Sequence, residues 1–173
     1  SLLIDDLFEL AQLDAGGLKP DRQPYPLSEL IAETVESFHA LAEQRGVTVR
    51  AQVAAGSDPA QVDAQQISRV LGNLISNALR HTPAGREVTV SARPAGAMIE
   101  VAVADSGEGI AAQDLPHIFE RFYRGEKSRN RATGGSGLGL AIARAVIEAH
   151  GGSIRAESQP GQGARFVFTV PAR

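Results

Sequence analysis

A long helical pattern followed directly by a hairpin pattern is the feature that most limits how this chain folds. Asp63, followed three residues later by Gln66, is typical of the N-cap of a helix. Apolar residues then recur at helical spacing through "QISRVLGNLISNALRH". The next segments, "EVTVSARP" and "AMIEVAVAD", read as strands joined near Ala95 and Gly96. An apolar helix stripe beside an antiparallel hairpin predicts a helix layer packed on a sheet.

The rest of the chain extends this pattern. Helical patterns cover about 27–45, 64–80, 111–123 and 137–150, and the strand patterns are "VTVRAQV", "SIRAES" and "ARFVFTVP". Neighbouring strands form hairpins while helices come between them in sequence. We therefore expect an α+β fold, a two-layer α/β sandwich with a mixed sheet and its helices on one face.

The first residues form a separate unit in the sequence. "SLLIDDLFELAQLD" begins with Ser and in the middle of a helical pattern, so we expect a fragment of a longer protein. Its wide apolar stripe suits either a helical-bundle seam or a helix folded on its own domain. Residues 17–26 contain three prolines and are expected to form an extended linker before a domain at 27–173.

Composition excludes several functions. Among 173 residues there is no Cys, which excludes disulfides and thiolate metal sites, and the net charge of −3 does not favour nucleic acid or an anionic membrane surface as a partner. No apolar run approaches the ~18 residues that a membrane span needs.

The stretch "TGGSGLGLAIARAV" at 133–146 places closely spaced glycines before a helical pattern. Glycine lets backbone N–H groups approach an anion at a helix N-terminus. No Lys follows, so this is not a Walker loop, and the spacing does not fit a dinucleotide fingerprint. Taken alone, it is either a phosphate-binding loop or a glycine turn before an ordinary helix.

Two further sets of polar residues could either bind a ligand or have only a structural role. Asn73, Asn77 and Arg80 lie within about 60° of one another around their helix, which suits either a metal-bound polyphosphate or a solvated face. In "DSGEGI", Asp105 follows a buried strand pattern. Its carboxylate suits either a ligand amine beside a flat ring or a tight turn with an Asx bond.

The order of the motifs resembles one family. "NLISNALRHTP", "DSGEGI", "FERFYR", "GGSGLGLAIA" and "PGQGARFVF" are similar to the N-box, first glycine box, F-box, second glycine box and closing turn of sensor histidine kinases, members of the GHKL ATPase superfamily. The resemblance covers roughly 27–173 and implies a Bergerat-type ATP-binding fold. "LFELAQLDAGGLKPDRQPYPLSEL" resembles the end of the second dimerisation and phosphotransfer helix, which would assign residues 1–16 to that helix.

The resemblance implies specific roles. Asn77 would bind Mg²⁺ with Asn73 assisting, Asn73 and Arg80 would position the phosphates with His81 beside them, and Asp105 would accept the adenine amine. Residues 125–136 would form the ATP lid. The remaining residues implied to bind ATP are Gly107, Gly109, Ile110, Arg124, Gly135, Gly137, Leu138, Gly139 and Leu140, and those implied to anchor the lid base are Phe119, Phe122 and Tyr123.

It also implies cofactors and partners. ATP and Mg²⁺ would bind, and the γ-phosphoryl would pass to a His on the dimerisation helices of the same homodimeric kinase, then to an Asp of a response-regulator receiver domain. The parent protein would be a membrane receptor with a cytoplasmic kinase core. None of the chain's four histidines lies in a phosphoacceptor motif, so we expect ATP binding without self-phosphorylation.

Three alternatives have different signatures. A hydrolysing GHKL ATPase would carry a Glu where this chain has Asn73, because it needs a general base to activate water. An anti-sigma-factor serine kinase should lack the "LDAG" helix and the proline linker. A nucleotide-sensing or dimerisation module without kinase activity can be distinguished from a kinase only by an activity assay.

Overall fold

The computed structural model describes residues 2–16, 19–124 and 137–172 of the chain. The helices are α1 (Leu2–Asp14), α2 (Leu27–Ser37), α3 (His39–Arg45), α4 (Ala64–His81) and α5 (Gly139–Ala149), with a 3-10 helix at Leu115–His117. The strands are β1 (Gln23–Tyr25), β2 (Thr48–Val53), β3 (Ala60–Val62), β4 (Glu87–Ala95), β5 (Met98–Asp105), β6 (Ile154–Ser158) and β7 (Ala164–Pro171).

Five strands form one open mixed sheet in the order β2-β4-β5-β7-β6. Strand β2 is parallel to β4, whereas β4–β5, β5–β7 and β6–β7 are antiparallel. The register places Val88, Asp105 and Ala164 opposite one another across three strands. Since paired residues point to the same face, Asp105 shares its face with the buried Val88.

The sheet has one apolar face and one charged face. Val90, Val103 and Phe166 are paired in register, and they belong to the same buried core as the apolar stripes of α2, α4 and α5. The opposite face carries ion pairs such as Arg93 with Glu100. The α+β fold with helices on one face of a mixed sheet is therefore confirmed.

Two helical predictions were wrong in detail. The helix expected over 27–45 is broken at Phe38, whose N–H donates to the carbonyl oxygen of Val35 at 3.0 Å. The hydroxyls of Thr34 and Ser37 also donate to backbone carbonyls one turn back, which competes with regular helix bonding. The region 111–123 contains only the 3-10 helix, which includes Pro116, a residue without an N–H donor.

The described residues of the expected linker include a short paired strand. Strand β1 runs antiparallel to β3, with Pro24 opposite Gln61, and the Asp21 N–H donates to Asp63 Oδ2 at 3.1 Å. The prediction missed both strands because three residues are too few to show a period of two. This pairing connects the linker to the residue that begins α4.

Helix α1 packs on the domain with part of its apolar stripe and exposes the rest. Leu10 is buried and the helix packs against α5, while Arg69 of α4 pairs with Asp6 at 2.7 Å and Glu9 at 2.5 Å. Four other apolar side chains of this helix are exposed, namely Leu3, Ile4, Leu7 and Phe8. Across the described ranges, no helix is both long enough and apolar enough to serve as a membrane span.

Candidate functional site

The polar face of α4 forms one wall of the site. Asp63 caps the helix by accepting the Gln66 N–H at 3.3 Å, and the buried stripe from Ile67 to Leu79 fixes which side faces the core. Asn73 and Asn77 lie off that stripe and are half-buried. The side-chain amide of Asn73 donates to the carbonyl oxygen of Gly139 at 3.2 Å. The polar face of α4 therefore meets the first turn of α5.

Asp105 lies at the end of β5 on the helix-covered face. Its Oδ1 accepts the N–H groups of Gly107 at 2.9 Å and Ala164 at 3.2 Å. Burial raises the pKa of Asp105, and these two hydrogen bonds and the nearby His81 act in the opposite direction. The Asx bond, one of the two explanations offered by the sequence, is present and uses one oxygen. In the described chain Oδ2 accepts no hydrogen bond and is available to a ligand donor.

The first glycine box allows close backbone approach. A Cβ on Gly107 would lie 2.3 Å from the carbonyl oxygen of His81, at the end of α4. Gly109 has a φ of +76°, and a Cβ there would lie 2.4 Å from the carbonyl oxygen of Gln159. Each of these glycines, which the family resemblance implies to bind ATP, thus has a requirement within the protein, because backbone from another element occupies the space of a side chain.

Residues that the sequence analysis missed support this loop. Ser158 Oγ accepts the Ile110 N–H at 2.7 Å and donates to the carbonyl oxygen of Gly163 at 2.9 Å. Glu108 Oε1 lies 3.3 Å from His81 Nδ1. No sequence motif links Ser158 to Ile110, because they are 48 residues apart and only the folded sheet brings them together.

The two ends of the expected lid meet. Phe122 donates its N–H to the carbonyl oxygen of Gly137 at 3.0 Å, and a Cβ on Gly137 would lie 2.8 Å from Phe122 backbone atoms. Phe122 has a φ of +62°, a left-handed conformation that is uncommon outside glycine. Nearby, the Phe119 ring packs edge-on against the Phe166 ring, with 6.1 Å between the ring centroids. The Tyr123 hydroxyl donates to Asp114 Oδ1. The lid itself, 125–136 including Gly135, lies outside the described residues.

The second glycine box opens α5. Leu138 is fully buried, and its carbonyl oxygen accepts the Ile142 N–H at 2.9 Å, while Leu140 is half-buried. The first N–H groups of a helix have no partner within the helix, so those from Gly139 onward form an anion-binding end. A Cβ on Gly139 would have Asn73 side-chain atoms as its nearest neighbours, at 3.8 Å and beyond, so the fold alone does not require glycine there.

The C-terminal end of α4 carries an arginine, Arg80, that other arginines affect. Arg80 is half-buried in the last turn of α4. Burial is the main cause that lowers the pKa of Arg80, and the positive charges of Arg45 and then Arg124 lower this pKa further. Arg80 and Arg124, both implied to bind ATP, thus influence each other electrostatically. Arg45 was not predicted.

Comparisons with known proteins show the family of the chain. Residues 62–173 match the histidine kinase-, DNA gyrase B-, and HSP90-like ATPases, and the chain belongs to this family. Sensor-like histidine kinase SenX3 of Mycobacterium tuberculosis is 39% identical over 170 residues, which are 98% of this chain and 41% of SenX3. Sensor histidine kinase CusS of Escherichia coli is 39% identical over 172 residues, 98% of this chain and 35% of CusS. The chain thus spans less than half the length of these curated relatives.

Solved structures are similar over most of the chain. Full-length ShkA in complex with AMPPNP has a TM-score of 0.87 at 28% identity, covering 98% of this chain and 35% of ShkA. The catalytic domain of histidine kinase ThkA has a TM-score of 0.77 at 26% identity, covering 88% of this chain and 96% of that domain. The resemblance to the catalytic domain of sensor histidine kinases is confirmed.

Proposed function

We propose that this chain binds Mg-ATP and donates the γ-phosphoryl group to a His on the dimerisation hairpin of its parent kinase. The observation that carries the proposal is the Asp105 carboxyl, held by two backbone N–H groups while Oδ2 stays available beside α4. An adenine amine is a donor that such an oxygen accepts. The named activity of SenX3 and CusS, and the AMPPNP bound to ShkA, support the same conclusion.

The donor set suits magnesium only together with a nucleotide. The described residues contain no cluster of three His, Cys, Asp or Glu side chains that could hold a metal alone. Magnesium keeps several waters and uses few protein oxygens beside phosphate oxygens, so the Asn77 amide oxygen, assisted by Asn73, fits. When bound, the ion would neutralise phosphate charge.

The residues of the chain would then act mainly by positioning and electrostatics. Asp105 fixes the base, the N–H groups at the start of α5 bind phosphate oxygens, and Arg80 stabilises negative charge. In the transfer, the bond from the γ-phosphorus to the bridging oxygen breaks, a bond to the imidazole nitrogen forms, ADP leaves and the imidazole loses a proton. The phosphoryl group then passes to a response-regulator Asp.

Asn73 weighs against a hydrolysing ATPase. A side-chain amide has no basic oxygen that could take a proton from water. This amide is also engaged with the carbonyl oxygen of Gly139 at 3.2 Å. A nucleophile from outside the domain is therefore favoured over water.

The wider setting is proposed from the family. Residues 1–16 would be the end of the second dimerisation helix, 17–26 the linker and 27–173 the catalytic domain. The exposed Leu7 and Phe8 of α1 support a packing partner for that helix within a homodimer. The kinase core would lie in the cytoplasm and its parent would be a membrane receptor.

Base recognition tests the site. Asp105→Asn keeps an oxygen for the Gly107 and Ala164 N–H groups but turns an amide donor toward the adenine amine. We expect Mg²⁺-dependent ATP affinity to fall about 10- to 100-fold, as for loss of a hydrogen bond to a charged group. Asn77→Ala should also lose affinity, whereas Asp5→Asn on the exposed side of α1 should not.

Inosine triphosphate sharpens the test because it carries a carbonyl in place of the amine. Calorimetric titration should show that the wild type prefers ATP and that Asp105→Asn loses this preference. Equal wild-type affinities for the two nucleotides, or unchanged ATP affinity in both folded variants, would contradict the site. For the reaction, radiolabelled ATP is mixed with the chain and the parent's phosphotransfer hairpin. An unlabelled hairpin His would support the nucleotide-sensing alternative.

A further inference from the structure

The first glycine box is held against the end of α4 by two contacts with His81. A Cβ on Gly107 would lie 2.3 Å from the carbonyl oxygen of His81 and 3.0 Å from Asp105 Oδ1, so the His81 backbone and the Asp105 carboxyl are neighbours. The second contact is between side chains, because Glu108 Oε1 lies 3.3 Å from His81 Nδ1. The last residue of α4 therefore meets the loop that carries Asp105 through both its backbone and its ring.

Glu108 reaches His81 from a fixed backbone. The carbonyl oxygen of Glu108 accepts the Gly161 N–H at 2.7 Å, which ties this loop to the turn between β6 and β7. The side chains of His81 and Glu108 are only 28% and 26% exposed. By contrast, His39 and Glu36 form a pair between residues three apart in sequence, with side chains that are 51% and 77% exposed. The pair of His81 with Glu108 is thus a tertiary contact of the site and not a pair of surface neighbours.

The contact with Glu108 determines which nitrogen of a neutral His81 ring carries the proton. An ionised carboxylate only accepts hydrogen bonds, so Nδ1 is the nitrogen that donates to Glu108. Nε2 of the neutral ring then has no proton and cannot donate to Asp105. Burial is the main cause that raises the pKa of Asp105, and among the smaller causes His81 lowers this pKa while Glu108 raises it, which agrees with the position of both side chains near the Asp105 carboxyl.

We propose that Glu108 is a positioning residue for base recognition, which keeps the His81 ring from donating to Asp105 and so leaves Asp105 Oδ2 to the adenine amine. This inference rests on the proposed ATP site. A hydrogen bond from His81 to Oδ2 would occupy the oxygen that the amine needs. Without Glu108 the ring is no longer held and its N–H competes for Asp105, so ATP would lose part of its advantage over a nucleotide that lacks the amine.

The test compares ATP and inosine triphosphate affinities by calorimetric titration, with Mg²⁺ and at about pH 8, where free imidazole is largely neutral. Glu108→Ala should weaken ATP binding roughly two- to tenfold, as for one hydrogen bond, and inosine triphosphate binding less than about twofold. Glu108→Gln keeps an oxygen for the Nδ1–H of His81 and should retain most of the preference for ATP. Glu36→Ala is the matched control, because it removes a Glu from the pair with His39, and it should change neither affinity.

Two further measurements separate this role from general support of the loop. Nitrogen NMR of the imidazole should show the neutral His81 ring protonated at Nδ1 in the wild type and in Glu108→Gln, and a shift of the proton toward Nε2 in Glu108→Ala. The double variant of Glu108→Ala with His81→Ala should regain the preference for ATP over inosine triphosphate, because no ring remains to compete for Asp105.

The outcomes separate this inference from the proposed function. If the wild type binds ATP and inosine triphosphate equally, the base assignment is wrong and this inference falls with it. If the wild type prefers ATP but Glu108→Ala keeps that preference or weakens both nucleotides alike, the role of Glu108 is refuted while the ATP site stands. An unchanged ring proton, or a double variant that does not regain the preference, refutes it equally. Circular dichroism of each variant excludes unfolding as the cause of lost affinity.

Discussion

Replacing Gly107 with Ala should damage both the stability of the protein and its nucleotide site. The new Cβ would lie 2.3 Å from the carbonyl oxygen of His81 and 3.0 Å from Asp105 Oδ1. Neither neighbour yields easily, because the first is helix backbone and the second is held by two backbone N–H groups. Relief of the first contact requires a shift of about 1 Å, and overpacking of this kind costs roughly 1–3 kcal/mol.

That shift would also weaken the hydrogen bond that orients the carboxyl of Asp105. For a chain of this length, 1 kcal/mol lowers the melting temperature by about 2–4 °C, so we expect a decrease of roughly 2–12 °C. Thermal unfolding by circular dichroism measures the stability, and calorimetric titration with Mg-ATP measures the affinity. We expect both to decrease in Gly107→Ala.

Gly72→Ala is the matched control because it makes the same chemical change within α4. There the new Cβ would meet only the Phe38 ring at 4.0 Å, and alanine favours helix over glycine by up to about 1 kcal/mol. The control should therefore be more stable than the wild type. Wild-type stability in Gly107→Ala would refute the close approach, and lower stability with unchanged ATP affinity would refute its link to the nucleotide site.

Two further predictions concern buried hydrogen bonds. His150 is buried and accepts the Asp63 N–H at 3.0 Å, and burial lowers the pKa of its imidazole. Because the unfolded chain then takes up the proton at a higher pH than the folded chain, the free energy of unfolding should fall as the pH drops below about 6.5. Urea unfolding of His150→Gln at several pH values should lack this part of the pH dependence. An equal pH dependence in the variant would contradict this. Ser158→Ala leaves the Ile110 N–H without its acceptor, so it should lower the free energy of unfolding by about 1–3 kcal/mol and weaken ATP binding. Ser91→Ala, on the other face of the sheet, should change neither the free energy of unfolding nor the ATP affinity.

The elements predicted correctly from sequence are those with a long local pattern. Helix α4 and the hairpin of β4 and β5 each have eight or more residues, enough to show a helical or a strand period. The break at Phe38 and the pairing of β1 with β3 depend on hydrogen bonds between particular residues, which no periodicity encodes. These features needed the folded chain.

For the candidate site, the structure supplies physical reasons that the sequence did not. The alternating glycines around Asp105 drew attention to the loop, yet their requirement comes from the backbones of His81 and Gln159. Ser158 was not identified because it lies in a segment without a motif. A motif records which residues a ligand needs, whereas supporting residues are chosen by the way distant segments pack.

In the proposed ATP site, several segments share the binding of the phosphates, which would account for the absence of a Walker Lys. In a P-loop, one segment supplies both backbone N–H groups and a cation. In the proposed site the N–H groups would be those at the start of α5, which Asn73 holds against α4, and the cations would be Arg80 and Arg124, contributed by other segments. Because the Phe122 N–H donates to the carbonyl oxygen of Gly137, the chain on either side of residues 125–136 is held together, so Arg124 and the N–H groups of α5 would act on the same phosphates. The glycine stretch would then need no Lys of its own, because the proposed phosphate binding depends on residues outside it.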